Sequence, residues 1–356
     1  MRLPSTHPLS LLFIFFLHNL PPYMAARLVP EFPFRELTVS TVDKYYRYNR
    51  FLSSERGKHV SGMSEIKKYL RYLGYLTSPD YNVSDDIFDA QFESAIKHYQ
   101  SRLGLLVTGK LDYGMLSQIL APRCGIPDGE SSSPTLHVKK NYVFFPGKPR
   151  WARPVPMTLT YGISPDNLIH YLSLSDIRKT FKRAFSRWAS VIPVSFVETN
   201  DYGFADIKIG FYTGDHGDGE PFDGVLGILA HSFSPESGRF HLDAAETWAV
   251  DFGVEKSTVA VDLESVAIHE IGHLLGLAHS PVKNAVMYPS LKPREKKVDL
   301  SIDDIQGVQS LYGSNPNFTF GSLLESDTSA NQAIGLRFEP SFWAISMFLA
   351  ASFFCI

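Results

Sequence analysis

The sequence predicts an α+β chain: a small three-helix unit, then a larger domain in which strands, a helix, more strands and further helices succeed one another. Three observations carry this. Residues 60–120 hold three short stretches of helical apolar spacing and no strand pattern. From Tyr142 onward period-two segments alternate with helical ones, which suits one mixed sheet packed on helices. Between them, "DGESSSPTLHVKK" has linker composition, exposed and easily cut.

The elements follow in order. "SEIKKYLRYLGYL" places Ile66, Leu70 and Leu73 on one face with Ser64 as N-cap. "DDIFDAQFESAIKHYQSRLGL" brings Ile87, Phe92, Ile96 and Tyr99 close to helical spacing, and Asp112 starts a third helix in "KLDYGMLSQIL". "MTLTYGI" and "ADIKIGFY" alternate like half-buried strands. "SDIRKTFKRAFSRWASV" is an amphipathic helix with Ile177, Phe181, Phe185 and Trp188 toward the core. Strands at "VLGILAHSF" and "RFHLDAAETWAV" precede a helix at "DLESVAIHEIGHLLGLAH", and "SIDDIQGVQSLYG" closes the domain near Gly313.

Both ends carry processing signals. Arg2, an apolar run from Leu9 to Leu17, the Pro21-Pro22 break and Ala25-Ala26 describe a secretory signal peptide over residues 1–26. Secretion makes Asn82 (Asn-Val-Ser84) and Asn317 (Asn-Phe-Thr319) candidate glycosylation sites. The chain ends in sixteen uncharged residues, "SFWAISMFLAASFFCI", preceded by a spacer from Gln332 to Pro340 and by Ser329, Ala330 and Asn331. Small residues, spacer and short apolar tail form the signal for a GPI anchor, with attachment at Ser329 and removal of residues 330–356. The expected location is the outer face of the plasma membrane and the extracellular matrix. A net charge of −3 gives no electrostatic case for nucleic acid.

The chemistry lies in histidines and one cysteine. In "HEIGHLLGLAH", His269 and His273 share a helix face at i and i+4 and can present ring nitrogens to one metal. Gly276 lets the chain leave the helix at positive φ and bring back His279. Three neutral imidazoles leave the fourth position of a catalytic zinc open, and Glu270 lies where a base could act on a water there. His216, Asp218, His231 and His241 would fill a tetrahedron and so make a closed, structural zinc site. Asp223-Gly224, Asp243 and Glu246 supply oxygen donors in turn-rich backbone that suits calcium. Only two cysteines occur, Cys124 and Cys355. Cys124 sits in "PRCGIPD" beside Arg123, whose guanidinium would favour the thiolate, a soft ligand for zinc.

With these residues in view the chain resembles the matrixins, the matrix metalloproteinases of the metzincin clan, and among them the short plant-type members that lack a hemopexin-like domain. The likeness covers roughly residues 64–313. "PRCGIPD" (122–128) resembles the cysteine switch, "HGDGEPFDGVLGILAHSF…GRFHLDAAETW" the structural zinc and calcium segment, and "VAIHEIGHLLGLAHS…VMYP" the catalytic site. The resemblance implies a twisted, mostly parallel sheet with helices. It implies a propeptide over 27–141, a catalytic domain over 142–313 and a linker over 314–329. It also implies two zinc ions, one held by His269, His273 and His279 with Glu270 as base, and a zymogen in which Cys124 takes the fourth position. At least one calcium would use Asp223, Asp243 and Glu246 with backbone oxygens of Gly224, Leu226 and Ile228, and Met287 would form the Met-turn. An extended polypeptide substrate would add as a strand beside Leu229 and Ala230.

Two departures from the family pattern stand out: Arg239 replaces an acidic ligand of its second calcium, where Asp206 remains, and Ser290-Leu291 replaces Pro-x-Tyr. No Arg-x-Lys-Arg site is present, so activation falls to another protease or to self-processing near Lys139-Lys140. A catalytically silent zinc module or a wall-binding protein are the other readings.

Overall fold

Helices α1 (Met63–Tyr72), α2 (Ala90–Arg102) and α3 (Tyr113–Ile119) bury Ile66, Leu70, Phe92, Ile96, Tyr99 and Met115 in one cluster. This computed structural model describes residues 48–52, 54–128 and 142–319. The leader, the linker with Lys139-Lys140, Ser329, the apolar tail and Cys355 therefore lie outside the described residues.

Asp89 and Asp112 cap α2 and α3 by accepting from Phe92 N at 2.8 Å and Met115 N at 2.9 Å. Helix α1 differs from the sequence expectation. Its N-cap is Gly62 and not Ser64, and Asp86 from a distant loop accepts from the backbone N–H groups of both Gly62 and Ser64. A carboxylate reaching two orphan donors from another segment satisfies the helix end as a local cap would. Ile87 lies outside α2, is largely exposed, and bridges His59.

The larger part is built on a six-stranded sheet of order β1-β6-β7-β5-β3-β4. Its strands are β1 (Arg123–Cys124), β3 (Met157–Ile163), β4 (Val194–Glu198), β5 (Ile207–Tyr212), β6 (Ile228–Ser232) and β7 (Arg239–Asp243). Every neighbouring pair is parallel except β6 with β7. Short pairs β2 (Val143–Phe144) with β10 (Leu277–Ala278) and β8 (Trp248–Ala249) with β9 (Val261–Asp262) complete it. Helix α4 (Leu174–Ala189) is capped by Ser173 and buries Ile177, Phe181, Phe185 and Trp188, as its spacing predicts.

Helix α5 (Leu263–Leu274) is buried along its whole length, and α6 (Ile302–Tyr312) follows. A helix buried on every face lies within a core, where Ile268, Ile271 and Leu274 each contribute about 2 kcal/mol by burial. The indole N–H groups of Trp188 and Trp151 donate to the carbonyls of Ile268 (2.9 Å) and Leu274 (2.7 Å), so two buried tryptophans fix α5 beneath β6.

Candidate active site

The site begins at α5. Asp262 caps it by accepting from Ser265 N (2.8 Å), and His269 and His273 then fall one turn apart on the same face. Gly276 adopts φ 102°, with the Pro149 carbonyl packed where a Cβ would stand, and the chain returns through β10 to His279.

Each imidazole is oriented from behind. Nδ1 of His269 donates to Val286 O (2.7 Å), Nδ1 of His273 to Leu277 O (2.7 Å) and Nδ1 of His279 to Asp128 Oδ1 (2.8 Å). Carbonyls and carboxylates only accept, so all three protons sit on Nδ1 and three Nε2 lone pairs converge. Nε2 of His273 and His279 are 3.2 Å apart, and Nε2 of His269 is buried without a partner. Burial holds the pKa of His269 and His273 well below the ordinary range and lowers that of His279, so the rings are neutral. Cys124 Sγ lies 3.4 Å from His273 Nε2, and one ligand atom from each of the four residues falls within 4.8 Å of the others. Tetrahedral zinc, with bonds of about 2.0–2.3 Å, needs ligand atoms spaced by roughly 3.3–3.7 Å. The donor set fits that ion.

Cys124 arrives as part of the sheet. Arg123 N donates to Gly227 O (3.0 Å) and Gly125 N to Ala230 O (2.8 Å) on one side; Cys124 N donates to Pro289 O (2.9 Å) and Leu291 N to Pro122 O (3.1 Å) on the other. Residues 122–125 thus fill the edge beside Leu229 and Ala230 where an extended peptide is expected. The guanidinium of Arg123 has a different role from the one its position beside Cys124 suggests. It turns to Asp128 (2.6 Å), and its influence on the thiol is outweighed by burial and the Glu270 charge, which push the Cys124 pKa well up. A metal cation, not Arg123, has to displace the thiol proton. Gln118 donates to Ser290, and Tyr288, packed in the helical cluster, bonds Leu103 O (3.3 Å) and Gln118 Oε1 (3.1 Å). The departure at Ser290-Leu291 therefore meets α3 directly.

Glu270 is wholly buried, and burial pushes its pKa up to about 7. Its Oε2 accepts from Ser232 Oγ at 2.6 Å, while Oε1 makes no hydrogen bond of normal geometry and the Cys124 thiol lies close to the carboxylate. An adjoining cleft is lined by Leu229, Val266, Val286, Tyr288, Leu291 and Lys297. Met287 is buried beside α5; the N–H groups of Val286 and Met287 donate to Asp304 (2.9 and 3.0 Å), the N3 residue of the α6 capping box.

The second set gathers as closely. Asp218 Oδ2 lies 3.0 Å from His216 Nε2, 2.8 Å from His231 Nε2 and 2.8 Å from His241 Nδ1, and the four residues form the other metal-competent group among those described. Burial alone would raise the Asp218 pKa, but the three imidazoles hold it far below the carboxylate range.

Next to it, Asp223, Asp243 and Glu246 accept from Ile228 N (2.7 Å), Gly224 N (3.1 Å) and Leu226 N (2.7 Å). These three acids do not converge tightly enough to make a third group of that kind among the described residues. Even so, Glu246 Oε2 is buried without a hydrogen-bond partner, a carboxyl oxygen suited to a cation. The two residues at the position of the family's second calcium have other partners. Asp206 accepts from Thr160 N (2.8 Å) and Oγ1 (2.9 Å), and the Arg239 guanidinium stacks 3.6 Å from the Phe233 ring centroid.

Sequence reasoning missed three supporting residues. Asp304 was discoverable from the Ser-x-x-Asp pattern at 301–304. Asp128 closes the 122–128 segment, and nothing local to it marks His279 as its partner. Nothing in the sequence marks Ser232.

Comparison with known proteins agrees with this geometry. Residues 150–313 match the matrixin family, and residues 60–119 match a family described as a peptidoglycan binding domain. Metalloendoproteinase 4-MMP of Arabidopsis thaliana is 65% identical over 274 residues, covering 77% of this chain and 79% of that protein. Metalloendoproteinase 1-MMP of the same plant is 48% identical over 338 residues, 92% of each. Human Matrix metalloproteinase-20 is 42% identical over 227 residues, 63% of this chain and 42% of that protein. With such identity along most of the length of the plant proteins, and with a buried three-histidine donor set suited to zinc, the chain belongs to the matrixin family of zinc metalloendopeptidases.

Proposed function

We propose that this protein is a secreted zymogen in which Cys124 blocks a catalytic zinc held by His269, His273 and His279. The observation that carries the reading is the Sγ of Cys124 beside the converging imidazoles, with its flanking backbone clamped between β6 and residues 289–291. When bound, the zinc supplies Lewis acidity that polarises the scissile carbonyl and acidifies a water. Removal of residues 27–141 withdraws the thiol and frees the β6 edge for an extended polypeptide, which pairs with backbone at Leu229 and Ala230. Glu270 takes the water's proton and passes it to the departing amine nitrogen as the C–N bond breaks. The carbonyl of Ala230, freed from Gly125 N, can hold that amine. His216, Asp218, His231 and His241 would hold a structural zinc. Asp223, Asp243 and Glu246, with carbonyls of Gly224, Leu226 and Ile228, would hold calcium.

The same reading places the protein at the cell surface. Residues 1–26 direct secretion, and residues 330–356 are exchanged for a GPI anchor at Ser329. Asn82 and Asn317, both exposed, are available for glycosylation. Among the described residues no helix is long and apolar enough to cross a membrane. Activation proceeds by another protease or by self-processing near Lys139-Lys140.

Glu270→Ala tests the chemistry. The variant is expected to keep its fold and both zincs while peptidase activity falls by roughly two to four orders of magnitude. Full activity in a zinc-replete, folded Glu270→Ala protein would refute the assignment.

A further inference from the structure

Ser232 follows His231 on β6 and, like Glu270, is wholly shielded from solvent. Its Oγ stands 2.6 Å from Glu270 Oε2 and 2.9 Å from the backbone carbonyl oxygen of the same residue. We propose that Ser232 is the positioning residue of the catalytic base, holding Oε2 so that Oε1 alone meets the reacting water. The inference rests on the peptidase reading above.

A serine hydroxyl has one proton to donate, and here it faces two acceptors. With Glu270 ionised, the shorter, charge-assisted contact to Oε2 prevails. The terminal torsion of a glutamate is broad and roughly two-fold, so an unrestrained carboxylate swings about its last bond. Ser232 removes that freedom by holding one of the two oxygens. Oε1, which makes no hydrogen bond of normal geometry, is left as the oxygen that can exchange protons. When Oε1 carries the water's proton, Oε2 is still an acceptor, and the same contact persists until the proton leaves for the amine nitrogen. Ser232 keeps its own proton throughout.

Both acceptors belong to Glu270 of α5, so whichever of them takes the proton, the hydroxyl stays directed at that helix. Strand β6 also carries Leu229 and Ala230, so the strand expected to seat the substrate would set the angle of the base as well.

The test uses enzyme activated from the full-length chain and a quenched fluorescent peptide substrate. Ser232→Ala should lower kcat roughly ten- to a hundredfold, with KM held within about twofold and zinc content unchanged. Ser232→Thr, which restores the hydroxyl, should recover most of the loss. In a Glu270→Ala background Ser232→Ala should cost nothing further, because its partner is gone. A second readout does not depend on turnover: a crystal structure of Ser232→Ala should show the Glu270 carboxylate in more than one orientation. Wild-type kcat in Ser232→Ala, an equal fractional loss in the Glu270→Ala background, or an ordered Glu270 carboxylate in the Ser232→Ala crystal would each overturn the proposal. Should the wild type cleave no peptide at all, the peptidase reading falls, and carboxylate orientation alone decides the role of Ser232.

Discussion

Calcium should stabilise this protein more as the pH rises. Asp243 is fully buried and Glu246 nearly so. Burial, with the Asp223 charge adding to it, pushes the Asp243 pKa up to about 6. Burial and then the Asp243 charge push Glu246 up to about 8. In the unfolded chain both groups titrate near their ordinary values of about 4. Below that pH both states hold the protons and nothing is lost. Between about pH 4 and pH 8 the unfolded chain releases protons that the folded one retains, so stability falls across that window. Each pH unit of difference is about 1.4 kcal/mol per group, which makes the calcium-free cost several kcal/mol by about pH 8. For a domain of this size each kcal/mol moves the midpoint by about 2–4 °C, so a shift on the order of 10 °C is expected. A cation bound among the carboxylates cancels that cost.

The assay is thermal unfolding of the mature domain in zinc-replete buffer with and without millimolar calcium, at about pH 5 and about pH 8. Calcium should raise the midpoint far more at the higher pH. Asp243→Asn should raise the calcium-free midpoint there and remove most of the calcium effect. Equal midpoints with and without calcium at the higher pH would refute the reasoning, as would an effect equally large at both pH values.

Three further outcomes are expected. Cys124→Ser should leave the zymogen active without an added activator and prone to cleavage in the 139–144 region, since a hydroxyl is a poorer zinc ligand than a thiolate; latency equal to wild type in a peptide assay would count against the block. Gly272→Ala would drive a Cβ into Met287 Sδ and to 3.1 Å from Trp188, an overpacking cost of about 1–3 kcal/mol, visible as a lower midpoint and faster zinc loss to a chelator. Phosphatidylinositol-specific phospholipase C should release the protein from intact cells, whereas membrane-bound protein still carrying Cys355 would mean that the tail is retained.

Much of the site could be read in the chain because its parts are local. His269, His273 and His279 lie within eleven residues, and helix periodicity with one glycine exit is enough to bring them round one point. The same holds for the core face of α4, where Ile177, Phe181, Phe185 and Trp188 follow a spacing that admits one buried stripe. Side-chain direction at Arg123 was not legible in the same way. Its Nε does donate to the backbone carbonyl of Cys124 at 3.0 Å, but its charge is paired with Asp128, beside Tyr69 of α1 and Tyr99 of α2.

Sequence alone determined which residues could carry metal chemistry and which stretches could be helix or strand, because donor type and periodicity are properties of short segments. Tertiary structure decided who holds whom. Asp86 caps α1 from a loop more than twenty residues away, Asp128 of the N-terminal region orients His279, and Ser232 of β6 restrains Glu270. These contacts join residues separated by 22 to 151 positions. A hydrogen bond of about 3 Å between such residues exists only after the sheet has set its register and the helices have packed, so no local pattern in the chain encodes it.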